Sequence, residues 1–182
     1  MAELGTTLLT LARNAIAACF GQSGSATVDL PELHEMGATF VTLTQQGRLR
    51  GCIGSLEAWG PLLADVQENA RSAALRDPRF KPLTAEELPI TRIEVSLLTP
   101  AVPMSFTSEA DALAQLRPGH DGVIFSAGSH RSTFLPQVWE QLPDPAVFMA
   151  HLKQKSGLPA NYWGPDVCLQ RYSVTKWKEP AP

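Results

Sequence analysis

Residues 38–56 of the chain, ATFVTLTQQGRLRGCIGSL, contain the pattern that decides the fold. Ala38 to Thr44 is rich in β-branched residues, which favours a strand. Gln46-Gly47 is a turn signal, and Arg48 to Leu56 supplies the returning strand of a hairpin. Because the turn leaves too little chain for a parallel crossover, we expect the two strands to pair antiparallel.

Helices are predicted on both sides of this hairpin. Leu4 to Phe20 has apolar residues at helical spacing. A second helix opens at Pro61 and ends before Pro78, because the residue before a proline is pushed out of helical geometry. Another begins at the Asp144 N-cap and ends at Gly157, a favourable C-terminal cap.

Further strands are interspersed with these helices. Ile90 to Leu98 alternates apolar and polar residues, and Gly122 to Ala127 is a short strand with Thr133 to Leu135 as its partner. Cys168 to Trp177 is predicted as one strand with a bulge near Arg171. Since helices and hairpins do not alternate strictly, the fold class is α+β, with a mainly antiparallel sheet flanked by helices.

Composition limits the function and the location. The 182 residues fit one domain. The net charge of −3 and the absence of a basic run argue against nucleic acid as a partner. No stretch is long and apolar enough for a membrane span, and no signal peptide is visible. Three widely spaced cysteines suit a reducing compartment, so we expect a cytoplasmic protein without disulfides, with Cys19 as an inert core thiol.

The candidate site is centred on Cys52. Arg48, Arg50 and Cys52 are two residues apart, so regular alternation would project all three side chains from one strand face. Two guanidinium groups beside a thiol would favour its thiolate form. Gly51 and Gly54 would leave the backbone open to a ligand. The alternative is a small buried Cys52, with glycines needed only for packing.

A concave groove beside Cys52 is the expectation that the apolar neighbours favour. If Cys52 faced the core, Leu49 and Ile53 would point into solvent. We therefore expect Leu49 and Ile53 inside and Cys52 towards the groove.

Two charged residues outside the hairpin complete the candidate site. Arg79, in Asp77-Pro78-Arg79-Phe80, either lies at a pocket edge or pairs with Asp77 to hold a turn. Glu94 lies between apolar strand residues, and a buried carboxylate there would need a basic partner. We expect that partner to be Arg50 or Arg79; the alternative is a solvated strand face.

The sequence contains no motif for a metal or a common cofactor. Four histidines and three cysteines lack the spacings of a local tetrahedral site, so no metal site built by this chain alone is expected. Motifs of classical hydrolases, kinases and dehydrogenases are missing. The cofactor is therefore left unknown.

Several separated motifs resemble the AMMECR domain family, whose hallmark is the hexapeptide at residues 49–54, LRGCIG. Further segments fit the family pattern in the same order: Asp77-Pro78-Arg79-Phe80 with Pro82-Leu83, Ile93-Glu94-Val95-Ser96, Phe134-Leu135-Pro136-Gln137-Val138-Trp139, and Lys155 with Gly157 and Leu158. The resemblance covers a single domain, residues 4–179. The later segment is most similar to the bacterial branch called AmmeMemoRadiSam system protein A.

The resemblance implies an α+β domain with a larger and a smaller lobe and the hexapeptide near the groove between them. The name of the branch implies a Memo-like protein and a radical SAM protein as partners. Some members have a cysteine at the position of Lys153, so a two-cysteine mechanism is not expected here.

Two functions are compatible with these residues. The first is a binding module for a small ligand or a protein partner. Its ligand-binding residues would be Arg50, Gly51, Cys52, Gly54, Arg79 and Glu94. The second is a small-molecule enzyme with Cys52 as nucleophile or thiolate and Arg50 as anion binder. We favour the first because no base that would activate Cys52 is visible.

Overall fold

The computed structural model describes residues 1–182 and contains four α-helices and nine strands. The helices are α1 (Ala2–Cys19), α2 (Leu62–Leu75), α3 (Glu109–Gln115) and α4 (Pro145–Lys155). The strands are β1 (Met36–Gln45), β2 (Arg48–Gly54), β3 (Gly60–Pro61), β4 (Arg92–Leu98), β5 (Val102–Pro103), β6 (Gly122–Ala127), β7 (His130–Phe134), β8 (Val167–Tyr172) and β9 (Val174–Lys178). Helices and antiparallel sheets confirm the predicted α+β class.

The chain forms two compact units, Met1–Leu98 with Thr175–Pro182, and Thr99–Val174. The sheet of the first unit has the strand order β2-β1-β4-β9, and β3 pairs with the start of β1. The predicted hairpin is confirmed, because β1 and β2 pair antiparallel. Since β2 lies at one end of this order, it is an edge strand.

One face of the first sheet forms the core of its unit. Val41 and Leu43 of β1 and Ile93 and Val95 of β4 are fully buried there. Helix α2 contacts β1 and β2, and α1 contacts α2 and β4. The alternating residues Thr42 and Glu94 therefore project from the other face.

The predicted helix boundaries follow from local capping chemistry. Pro61 is the N-cap of α2, and the helix ends before Pro78. The Asp144 carboxylate accepts the Ala146 N–H at 2.8 Å at the start of α4. Gly157, with φ 93°, has the left-handed conformation that ends a helix.

The second unit has its own sheet and core. Its strand order is β5-β8-β6-β7. Trp139 and Phe148 stack with their ring centres 3.7 Å apart in this core. Phe125 and Leu152 are fully buried beside them.

The prediction of one bulged strand from Cys168 to Trp177 is wrong. The segment forms two strands, and Ser173 separates them. The Ser173 N–H donates to Thr99 Oγ1 at 2.9 Å. As a result β8 joins the second sheet and β9 joins the first. No helix has both the length and the apolar character that crossing a membrane requires.

Candidate functional site

A β-bulge decides which face of the first sheet Cys52 occupies. The turn pairs Gln45 with Arg48, and an unbroken ladder from that pair would place Cys52 opposite the buried Val41. The register shifts between Leu43 and Thr44, so Cys52 lies opposite Thr42 instead. A one-residue shift moves a side chain to the other face of a sheet. Cys52 consequently lies on the face away from the helices.

The same bulge overturns the prediction that Arg48, Arg50 and Cys52 share a face. Arg48 pairs with Gln45, which alternates onto the opposite face from Thr42 and Cys52. Arg50 falls within the bulge and has no partner in the register. Spacing in the sequence therefore does not bring these arginines to the thiol.

The predictions for the two apolar neighbours have different outcomes. Ile53 pairs with Val41 and packs against the core of the first unit, as expected. Leu49 pairs with Thr44 and is 43% exposed, so the prediction that it lies inside is wrong. The bulge explains this outcome as well, because it transfers Leu49 to the face of Cys52.

The backbone of Cys52 is bound by residues that follow α2. Its N–H donates to Asp77 Oδ2 at 2.9 Å, and its carbonyl accepts from Arg79 Nη2 at 3.3 Å. Its Sγ lies 3.2 Å from Thr42 Oγ1. Cys52 and Thr42 form an antiparallel pair whose backbones do not hydrogen-bond to each other. In such a pair the two side chains lie close together, and the backbone N–H and C=O of each residue point away from the other strand. Asp77 and Arg79 thus complete the hydrogen bonding of the edge strand at Cys52.

The Asp77–Arg79 pair joins a buried anion to an exposed cation. The Asp77 side chain is 2% exposed and that of Arg79 is 56% exposed. Arg79 donates from Nε at 3.0 Å and from Nη2 at 2.7 Å, one bond to each carboxylate oxygen. These bonds, with the N–H groups of Cys52 and Arg79, hold the pKa of Asp77 well below its usual range. The turn-holding interpretation of this segment is confirmed, and Arg79 also presents a fixed positive charge to solvent.

A row of polar side chains crosses the face of the first sheet that is away from the helices. Cys52, Thr42 and Glu94 lie side by side in the register of β2, β1 and β4. Lys178 Nζ of β9 lies 3.2 Å from Glu94 Oε2. Together with Arg79 we call these residues the polar row: Arg79, Cys52, Thr42, Glu94 and Lys178.

The predicted partner of Glu94 is wrong, although its burial was anticipated. Its side chain is 17% exposed and its ion pair is with Lys178, whereas Arg79 pairs with Asp77. Arg50 forms a forked pair with Glu87, with Nε–Oε1 3.0 Å and Nη2–Oε2 3.1 Å. The Arg50 guanidinium is the chief cause that lowers the pKa of Glu87 to about 2. Arg50 is therefore held by Glu87.

The two glycines of the hexapeptide serve packing. Gly51 is buried, and a Cβ there would clash with the carbonyl oxygen of Ala73 in α2. The prediction that the Gly51 backbone is open to a ligand is therefore wrong. A Cβ at Gly54 would clash with the ring of Phe40, so Phe40 occupies the space above that glycine.

The three thiols differ from one another in exposure, and Cys19 differs from its prediction. Cys19 and Cys168 are exposed, and Cys52 is half-buried. The expected core role of Cys19 is wrong, because this residue lies at the end of α1. Nowhere do three His, Cys, Asp or Glu side chains gather into a group that could hold a metal ion.

Comparison with known proteins identifies the family. The AMMECR1 family profile matches residues 9–177, which include the hexapeptide and the whole polar row except Lys178. The chain belongs to the AMMECR1 family. A protein of Methanothermobacter thermautotrophicus is 38% identical over 96% of this chain and 94% of its own length. One from Methanocaldococcus jannaschii is 35% identical over 99% of this chain and 92% of its own.

The fold is also similar to that of a solved structure. The crystal structure of an uncharacterized protein from Pyrococcus horikoshii matches with a TM-score of 0.84 and 33% identity, over 99% of this chain and 93% of that one. These relatives are archaeal, so the similarity to a bacterial branch stays a prediction.

The sequence did not single out Thr42, Glu87 or Lys178 in this AMMECR1 chain. Thr42 requires the bulge to be known, because counting from the turn places Val41 opposite Cys52. Lys178 is far from Glu94 in sequence, and only the return of β9 to the first sheet brings them together. Glu87 precedes a proline-containing 3-10 turn, Leu88–Ile90, and only the last residue of that turn belongs to an element predicted from the sequence, the strand from Ile90 to Leu98.

Proposed function

We propose that this AMMECR1 chain is a binding module whose polar row takes a small anionic ligand. The observation on which the proposal depends is the placement of Arg79. Its guanidinium is held from behind by the buried Asp77 and remains more than half exposed beside Cys52. A fixed guanidinium matches the geometry of carboxylate and phosphate groups, and little side-chain entropy is lost when it binds one.

Electrostatics keep the Arg79 guanidinium charged. Hydrogen bonds to Asp77 are the main cause that raises the pKa of Arg79. Lys178 supplies a second cation across the row, neutralised by Glu94. Thr42 offers a hydroxyl between them. A ligand with an anionic group and a neutral polar body would complement this arrangement.

The alternative, an enzyme with Cys52 as nucleophile, has weaker support. Nucleophilic sites need a base within hydrogen-bond reach of the attacking atom. The polar contact of Cys52 Sγ is the Thr42 hydroxyl. Asp77 contacts the backbone of Cys52, and its lowered pKa makes it a weak base. We therefore favour binding over catalysis, with Arg79 as the anion binder, because Arg50 is already paired with Glu87.

The proposal extends to protein partners on the strength of the family resemblance alone. A Memo-like protein and a radical SAM protein are the partners that the resembling branch implies. Sedimentation of the purified chain mixed with a Memo-like protein tests this part. A mixture that sediments as two separate species would count against it.

Two alkylating reagents of nearly equal size test the anion site. Iodoacetate is anionic and iodoacetamide is neutral, and both attack the same thiolate. The ratio of their rates therefore does not depend on how much of the thiol is ionised. In a Cys19→Ser/Cys168→Ser protein, we expect Arg79→Gln to lower the iodoacetate-to-iodoacetamide ratio at Cys52 roughly two- to fivefold. Added salt should lower it in the parent protein.

Matched variants separate charge from structure. Arg79→Lys should have an iodoacetate-to-iodoacetamide ratio close to that of the parent protein, because it retains the positive charge. Arg71→Gln removes an exposed arginine of α2 that pairs with Glu68, and it should leave the ratio unchanged. An equal ratio in the parent and in Arg79→Gln would overturn the proposal. So would a Cys52 that resists both reagents in the folded protein.

A further inference from the structure

A concave surface lies at the turn end of the β1–β2 hairpin. It is a pocket of about 610 Å³ within the first unit. Small-molecule sites usually have volumes of about 300–1,000 Å³. Residues on both sides of the turn, Gln45, Gln46, Arg48 and Arg50, form one wall. Ile90 and the chain end at Ala181 form the other.

The charge of this pocket is positive in a protein of net charge −3. Arg50 is neutralised by Glu87, and the lowered pKa of Glu87, about 2, keeps that pair ionised near neutral pH. The Arg48 side chain is exposed and forms no ion pair or hydrogen bond. Its charge is therefore uncompensated, and an incoming anion would meet it without displacing a carboxylate.

Apolar side chains line the same pocket. Leu49 is 43% exposed and Ile90 is 55% exposed. Single exposed apolar residues are common on protein surfaces. Here two of them line one concavity together with an unpaired guanidinium. This combination suits a ligand that has both a charged end and an apolar body.

The turn itself has two consecutive residues in the left-handed region. Gln46 has φ 51° and Gly47 has φ 76°. Two-residue hairpin turns with two positive φ values favour Asn or Gly at the first position. Glutamine there is strained, and its side chain lies on the pocket wall. Strained residues that persist in a fold often do so at ligand sites.

We infer that this pocket binds a small monocarboxylate with an apolar body. Arg48 would donate to the carboxylate, and Leu49 and Ile90 would contact the apolar part. Gln45 is already fixed, since its amide donates to Glu87 at 3.3 Å and Thr91 at 3.0 Å. Its carbonyl oxygen is left to accept a hydrogen bond from a polar substituent on the ligand.

The test compares hexanoate with hexanol in a titration followed by ¹H–¹⁵N NMR. Every protein in this test carries Arg79→Gln, so that the anion site proposed for the polar row does not contribute to the binding. We expect saturable shifts at the amides of Gln46 to Arg50 with hexanoate and weaker binding of hexanol. Arg48→Gln should weaken hexanoate binding roughly three- to tenfold while hexanol binding stays the same.

Control variants make the result decisive. Arg76→Gln removes an exposed arginine at the end of α2 and should change nothing at the pocket. Ile90→Ser should weaken both ligands. Gln46→Gly should relieve the turn and raise the melting temperature while weakening hexanoate binding. Equal affinity for the two ligands, equal hexanoate binding by Arg48→Gln and the parent, or no saturable binding of either ligand would overturn the inference.

Discussion

The Asp77 carboxylate lies 2.9 Å from the backbone nitrogen of Cys52 and accepts its hydrogen bond. Asp77 follows the end of α2, and Cys52 is on the edge strand β2. A single buried side chain thus connects the helix end to the strand and also holds Arg79. Because the carboxylate accepts four hydrogen bonds, one from Cys52 and three from Arg79, its removal should affect the fold and the proposed anion site together.

Asp77→Asn is expected to destabilise the protein by about 2 kcal/mol, the range for hydrogen bonds to a charged group. An amide keeps the shape of the side chain, but its NH₂ group meets donors where the carboxylate accepted bonds from Cys52 and Arg79. Urea-induced unfolding followed by circular dichroism measures the change in the free energy of unfolding.

Glu68→Gln is the control for Asp77→Asn. Glu68 also pairs with two arginines, Arg71 and Arg76, but its side chain is 51% exposed. Its removal should cost less than about 0.5 kcal/mol, because exposed ion pairs contribute little. Equal losses in the two variants would show that burial of Asp77 is not what matters.

Gly51→Ala tests the close approach of β2 to α2. A Cβ at Gly51 would meet the backbone carbonyl of Ala73, which cannot rotate away. We expect a loss of about 3 kcal/mol or more in urea unfolding, the upper range for overpacking. Gly60→Ala is the control, because nothing lies within 4 Å of its added Cβ. A loss of similar size at Gly60 would contradict the packing explanation.

The stability lost in Gly54→Ala should be partly recoverable by a second substitution, unlike that lost in Gly51→Ala, because the group that the new Cβ meets is a side chain and not the backbone. Its Cβ would clash with the Phe40 ring. Phe40→Ala should therefore recover part of the stability lost in Gly54→Ala, and a double-mutant cycle measures this coupling. Additive losses would mean that Phe40 does not occupy the space above Gly54.

The local features of the fold could be predicted because they depend on neighbouring residues. Gln46-Gly47 fixes the hairpin turn, and Pro61 and Asp144 fix the starts of α2 and α4. The division of the last strand region could not be predicted this way. Ser173 separates β8 from β9 through hydrogen bonding with Thr99, and no local pattern indicates that distant contact.

The site was predicted less well because its geometry depends on one bulge. Regular alternation along the sequence predicts that Arg48 and Cys52 project from the same face of the sheet. The register shift places them on opposite faces. Charged partners are also not visible in a sequence. Glu94 needed a cation, and Lys178, from the distant β9, supplies it. Cys52 is central to the candidate site both in the sequence pattern and in the polar row.

The stability of the protein should depend on Glu87 in acid. Its ordinary pKa of 4.5 is lowered to about 2 in the folded chain, chiefly by Arg50. Between pH 4.5 and about 2 the unfolded state therefore binds more protons than the folded state. The stabilisation is complete above pH 4.5 and is lost as the pH falls towards about 2. Glu87→Gln should reduce the dependence of the unfolding free energy on pH in this interval.

Glu86→Gln provides the comparison for that measurement. Glu86 is the exposed neighbour of Glu87 and forms no ion pair. Urea unfolding is measured at several pH values from 2 to 6, and the free energy of unfolding is plotted against pH. The slope of this plot should be the same for Glu86→Gln as for the parent protein and smaller for Glu87→Gln. The slope in Glu87→Gln should not vanish, because the pKa of Asp77 is also lowered. Identical slopes in the two variants would refute the assignment to Glu87.

Lys153 and Glu109 should respond unequally to substitution, because only the lysine is buried. The Lys153 side chain is 1% exposed, and its Nζ lies 2.5 Å from Glu109 Oε1 and 5.3 Å from the Trp163 ring centre. Glu109→Ala leaves the ammonium buried without its anion, so we expect a loss of roughly 2–3 kcal/mol, discounted because Glu109 is 35% exposed. Lys153→Met keeps the volume and removes the charge, and should stay within about 1 kcal/mol of the parent. In the Glu109→Ala background, Lys153→Met should therefore restore stability in urea unfolding. A double variant less stable than Glu109→Ala alone would mean that the lysine stabilises the second unit by something other than this ion pair.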